Sequence, residues 1–169
     1  MARTPGPSDR MALDQALAAV DEAFDRKAWH GPNLRGSVRG LDARAASWRP
    51  GPGRHNVWEL VVHAAYWKYT VRRRLTGDKR GSFALDGSNW FTRPAGPPAG
   101  REAAWKADVA LMVAEHRKLR AAVAALPPRS LRALSPGSTH PVGRLILGAA
   151  FHDVYHAGQI QMLKRLSAR

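Results

Sequence analysis

Two histidines lie four residues apart, His152 and His156, in the stretch FHDVYHAGQIQMLKRL at 151–166. The apolar residues around them recur at helical spacing. On that helix Leu145, Ala149, His152, His156, Gln159 and Leu163 fall within about 40° of one direction, so the imidazoles sit where leucines belong. Burying two adjacent imidazoles without partners costs about 1–3 kcal/mol each. A metal ion removes that cost, and an i, i+4 histidine pair on one helical face can chelate. Two ligands rarely make a tight site. His63, between Leu60 and Trp67 on a second helical stripe, is the best third. Three neutral imidazoles leave a coordination position open, which is the pattern of catalytic sites. The other reading of such a histidine is a core residue bonded to a carbonyl or a water, and spacing alone leaves both open. The HExxH pattern, with its built-in base, is absent.

Other residues stand near these in the pattern. His116 on a third stripe is a fourth ligand, a partner behind the ligands or a satisfied core histidine, and the last two fit better. His30, Glu59 and Trp67 are further candidates for the surroundings of the ligands or for a pocket. Glu59 reads first as half of a capping box with Asn56. His30 and His55 flank helix ends, where capping or solvent exposure accounts for them. Gln159 and Tyr155 are candidates for orienting a substrate. Asp153 falls off the seam.

The elements that must position these residues are helices. Residues 1–9 read as disordered and 10–169 as one domain, with Ser8 or Asp9 capping a helix to about Lys27. Leu34, Val38 and Leu41 suggest a short piece, and RPGPGR at 49–54 is a rigid connector. A second long helix runs from Asn56 to Gly77. Residues 78–100 form a long connection whose Trp90 and Phe91 form a lid or plug the end of the fold. The third helix, 101–126, carries Trp105, Val109, Met112, His116, Leu119, Val123 and Leu126 in a 4-3 alternation. The fourth begins near Pro141. Four long amphipathic helices predict an all-α four-helix bundle. Leu147, Ala150, Val154, Ala157 and Gly158, on the far side of the fourth helix, predict a homodimer face.

The chain has 169 residues and no cysteine, which excludes disulfides and thiolate ligands. Twenty-seven Lys+Arg against 13 Asp+Glu give +14. That raises the case for polyanion binding, but the basic residues are scattered, and RRR at 72–74 points three ways around a helix. A solvated basic surface explains them better than a nucleic-acid site. No apolar run spans a membrane, and the expected location is cytoplasmic.

RHNVWELVVHAAYWK at 54–68 and FHDVYHAGQIQMLKR at 151–165 resemble the DinB/YfiT-like superfamily of bacterial metal-binding bundles, as do AWHGPNL at 28–34 and WRPGPGRH at 48–55. The resemblance implies an up-down-down-up topology, often a homodimer, and three metal-binding histidines that map to His63, His152 and His156. It implies one divalent ion, zinc or nickel first, with iron, manganese or copper as alternatives. Related members are metal-dependent hydrolases or S-transferases using bacterial thiols, so the expected partner is a small molecule rather than DNA. The alternatives are a metal-binding stress-response protein without turnover and a basic nucleic-acid-binding module.

Overall fold

The computed structural model describes residues 6–168, and among them the chain is helical, with no strand. Four helices are long: α1 (Pro7–Phe24), α4 (Val57–Thr76), α5 (Arg101–Ala124) and α6 (Val142–Ser167). Two are short, α2 (Leu34–Ser37) and α3 (Ala43–Ser47), and a 3₁₀ turn spans Pro128–Arg132. None is long and apolar enough to cross a membrane.

The N-terminal expectation needs correction. Gly6 is the cap of α1 and Pro7 opens it, so residues 7–9 are its first turn rather than a disordered lead. Proline suits that position because the N–H it lacks has no partner there anyway. Residues 1–5 of that expectation lie outside the described residues. Helix α3, not anticipated, starts where the Asp42 side chain accepts from the Ala45 amide at 2.8 Å.

Helix α4 carries the centre of the fold. The capping box forms as its spacing predicts: the Asn56 side chain accepts from the Glu59 amide, and Glu59 reaches back to the Asn56 amide. Gly77 ends the helix in the left-handed region, at φ 76°. Val57 to Ala65 are all buried, so the helix's first turns are enclosed on every side. Helix α4 packs against α5 and α6, and α1 packs against α5 and α6.

Side-chain pairs set the mutual register. Early in α4 the Trp58 indole donates to Asp108 of α5, and late in α4 Arg72 approaches Glu115. Between α1 and α5, Arg120 bonds Asp21 and His116 stacks on Phe24 at 3.7 Å. Between α4 and α6, Lys68 bonds Asp153 while His63 meets His152.

The orientation of α6 differs from the expected one. Its buried face is Val142, Ile146, Ala149, Ala150, Asp153, His156, Ala157 and Ile160. The face is rotated from the Leu145 direction by nearly one residue's turn, about 100°. Asp153 is therefore core rather than off the seam, and the histidine pair lies at the rim of the buried face. His156 is buried and His152 half-buried. The rotation also corrects the dimer face. Ala150 and Ala157 are buried within the chain, where α1 and α2 cover α6, and Val154 is partly buried against the same core.

His116 occupies that core away from the other histidines, and it is not a partner behind the ligands. It stacks on Phe24, and its Nδ1 has no hydrogen-bond partner. Burial lowers its pKa to about 3, with Lys68 adding to the effect. The depressed value means that folded protein resists the proton that unfolded protein takes up near 6.5. His116 therefore costs nothing above that pH and destabilises progressively as pH falls from 6.5 to about 3. His116→Phe keeps the stack and removes the titration. In urea titrations the loss of stability between pH 7 and pH 5 should be smaller in this variant by about 2 kcal/mol. Equal losses in both proteins would refute the assignment.

Candidate metal centre

His63 reaches the site from the second turn of α4, and His152 and His156 come from successive turns of α6. The Nε2 of His152 lies 3.1 Å from that of His63 and 3.0 Å from that of His156. One nitrogen from each of the three falls within 4.8 Å of the others, the arrangement of a group able to hold a metal ion.

The outer nitrogens say which form the rings take. The Nδ1–H of His63 donates to the carbonyl of Asn89 at 2.8 Å, and a carbonyl only accepts. The Nδ1–H of His156 donates to Gln159 Oε1 at 2.6 Å. In the neutral rings both Nε2 atoms then carry lone pairs, and both face the Nε2 of His152. A single N–H of His152 cannot satisfy both along good directions, whereas a cation among the three accepts all the lone pairs. A second hydrogen bond on the far side of each ring is the usual support of a metal-bound histidine. Burial keeps the rings neutral. It lowers the pKa of His152 to about 3 and that of His156 to about 4, and it lowers His63 as well. For His152 the neighbouring His156 and His63 add to the effect; for His156 the bond to Gln159 opposes it. The residues present fit a divalent ion.

The long connection after α4 closes one side. Trp90 is stacked between two imidazoles, 3.8 Å from His63 and 3.6 Å from His55. At 38 % exposure it covers the site as a lid residue would. Phe91, expected beside it in the lid, is instead buried core, packed with Tyr66 and Phe83. Asn89 pins the connection twice, through its carbonyl to His63 and through its Oδ1 to the Trp67 indole at 3.0 Å. Arg93 pins it again: its guanidinium bonds Asp108, and its carbonyl accepts from Asn56 at 2.8 Å.

The Trp67 ring lies 6.3 Å from that of His63 and 6.2 Å from that of His152. Glu59 is no base. It is buried and holds Arg49, His55 and the Arg93 amide. Burial alone would raise its pKa, but those bonds outweigh it and hold the carboxyl below its ordinary value. His30 is exposed in the turn after α1 and belongs to neither cleft beside the histidines, which corrects its placing near the ligands. Gln159 supports His156 through its Oε1 and borders the groove on that side, and Tyr155 is an exposed ring 5.3 Å from His156. The sequence reading missed Asn89, the His55–Glu59 contact and the Lys68–Asp153 pair. Only the last had a signal, an aspartate next to His152 within an apolar helix.

Two clefts flank the histidines. A groove of about 530 Å³ lies on the His156 side, bordered by His55, Trp90, Tyr155, Gln159 and Met162. An apolar cleft of about 700 Å³ lies on the other side, ending at Trp67 and His152.

No curated protein and no solved structure gives a match to the chain. The family model of the DinB superfamily matches residues 26–160, a span that includes all three histidines, the whole of α4 and most of α6. The chain belongs to the DinB superfamily.

Proposed function

We propose that the chain is a metal-dependent enzyme acting on a small molecule, a hydrolase or a thiol S-transferase, with one divalent ion held by His63, His152 and His156. The observation that carries the reading is the meeting of three Nε2 atoms while the outer nitrogens of His63 and His156 are committed elsewhere. Zinc or nickel suits three imidazoles best. Such an ion supplies Lewis acidity, which makes a water or thiol nucleophilic near neutral pH. The protein's own part is to hold the ligands and shape the space. Asn89 and Gln159 fix the ring orientations of His63 and His156. Trp90 shields one face of His63 from water, and the half-buried His152 leaves the site reachable from the apolar cleft.

Some of the positive charge is engaged within the fold: Arg49, Arg72, Arg93 and Arg120 each pair with a carboxylate. The scatter of the remaining basic residues favours a small-molecule site over a nucleic-acid surface. The register pairs support an up-down-down-up bundle, because Trp58–Asp108 and Arg72–Glu115 advance together along α4 and α5. On α1 and α5, Asp21–Arg120 and Phe24–His116 advance in opposite senses.

The test is a panel of small esters, amides and electrophiles, with and without bacterial thiols, on metal-loaded wild type and His156→Ala. The expected result is turnover by the wild type and at least a hundredfold less by the variant. Equal rates would defeat the mechanism.

A homodimer belongs to the same proposal, through Tyr155, Met162 and Leu166. These are exposed apolar residues on one side of the C-terminal half of α6. Met162→Glu should convert a dimer of about 37 kDa, twice the 18.5 kDa chain, to a monomer in light scattering. A wild-type monomer at micromolar concentration overturns this.

A further inference from the structure

The apolar cleft beside His152 carries charge that no carboxylate among the described residues answers. Its walls are Val71, Leu145, Leu147 and Phe151, with Arg74, Arg144 and His140 at the end away from His152, and no acidic side chain lines it. Elsewhere in the fold, Arg93 pairs with Asp108 and Arg120 with Asp21. Arg74 is half-buried and Arg144 exposed, and neither side chain has an ion pair or hydrogen bond among the described residues. Phe151 stands 65 % exposed on the cleft wall, and the cleft's 700 Å³ lies within the ordinary range of small-molecule sites.

We propose that this cleft binds an amphipathic monoanion, its carboxylate held by Arg74 and Arg144 and its apolar body lying along α6 toward His152. Guanidinium groups present donors in a fork that matches a carboxylate, and apolar walls strengthen the attraction by excluding water. The helices set the length of the ligand. Arg144 and His152 are eight residues apart on α6, about 12 Å, and Trp67 and Arg74 are seven apart on α4, about 10 Å. The substrate class is therefore a molecule whose anionic end and reacting end are separated by an apolar stretch of about that length. This deepens the metal-enzyme reading and rests on it only for direction, with the reacting end beside the histidines. A second copy of the chain is a poor occupant. A two-fold contact would bring the unpaired arginines of both copies together with no acid between them.

The test is calorimetric titration of octanoate and of octan-1-ol into chelator-treated protein at physiological salt, so that the result does not depend on the metal. Octanoate should bind at least tenfold more tightly than the alcohol. In Arg74→Gln/Arg144→Gln the two probes should bind alike, with the alcohol at its wild-type affinity. Phe151→Ser should weaken both. Should the double variant fail to fold, Arg144→Gln alone, at an exposed position, should still narrow the preference. Equal binding of acid and alcohol by the wild type, no binding of octanoate, or a preference that survives in the arginine variants each overturns the proposal. So does octanoate binding that disappears as protein concentration rises, which would mean that a second copy fills the cleft. Failure of the metal-centre reading would show separately, as wild-type protein without stoichiometric metal.

Discussion

His156→Ala, purified without a nickel column, should hold no stoichiometric metal and should bind added zinc more than about 100-fold more weakly than the wild type. The reason is geometric. The Nε2 atoms of His63 and His156 approach His152 from two sides, at 3.1 and 3.0 Å, and each is presented by a ring whose other nitrogen is tied down. Removing one imidazole leaves two ligands, and two imidazoles rarely hold a divalent ion tightly. The supporting bonds predict a graded series. Gln159→Ala removes the acceptor that orients His156 and should weaken binding by about 10–100-fold, the usual effect of losing a ligand's hydrogen-bond partner. His55→Ala should leave stoichiometry unchanged, because His55 touches the site only through Trp90. Elemental analysis and competition with a chromophoric chelator measure the series. Added metal should raise the melting temperature of the wild type, by mass action on the folded state, and leave His156→Ala unmoved. A His63→Ala chain with full occupancy and affinity removes His63 from the ligand set.

The helices and the ligand candidates were legible for different reasons. Helix α4 announced itself through Asn56 and Glu59 at capping-box spacing and through Gly77 at its end, which are local signals that tertiary structure leaves alone. The α5 stripe was legible because its apolar positions alternate cleanly, although Asp108 and Glu115 share the buried side with them. The phase of α6 was harder to read. Apolar residues occupy nearly every side of that helix, with Phe151, Tyr155 and Met162 exposed beside the face that α1, α2 and α4 cover, and a single stripe could not be chosen from them. A face centred on Leu145 is turned by most of a residue from the buried one, which puts the histidines at its centre and leaves Asp153 outside it. Their true position at the rim makes His152 reachable from a cleft. Asn89 could not be found from sequence. It acts through a main-chain carbonyl, which every residue has, at a point fixed by the path of a 24-residue connection between Thr76 and Arg101.

Asp153→Ala should destabilise the chain by about 3–5 kcal/mol, the largest stability change expected outside the apolar core, and Lys68→Met should do much the same. Both side chains are almost wholly buried, at 2 % and 3 % exposure, and each is the other's partner. Burial pulls Lys68 down and Asp153 up, each toward its neutral form, and their mutual attraction opposes both shifts. Deleting either one strands the other in an apolar interior, which is why single changes cost far more than the pair contributes. The double variant Lys68→Met/Asp153→Leu strands neither. It should recover to within about 1–2 kcal/mol of the wild type, since a buried ion pair and a packed apolar pair are often near equal in stability. Urea denaturation of all four proteins with chelator present keeps metal linkage out of the comparison. A single-variant cost under about 1 kcal/mol would show that water reaches the pair and that it is not buried in solution. The double variant also separates stability from positioning. The pair ties α4 to α6 next to His152, five residues along α4 from His63. If stability recovers while metal affinity stays at least tenfold down, the ion pair sets the distance between the two helices that carry the ligands. If both recover, packing alone sets that distance.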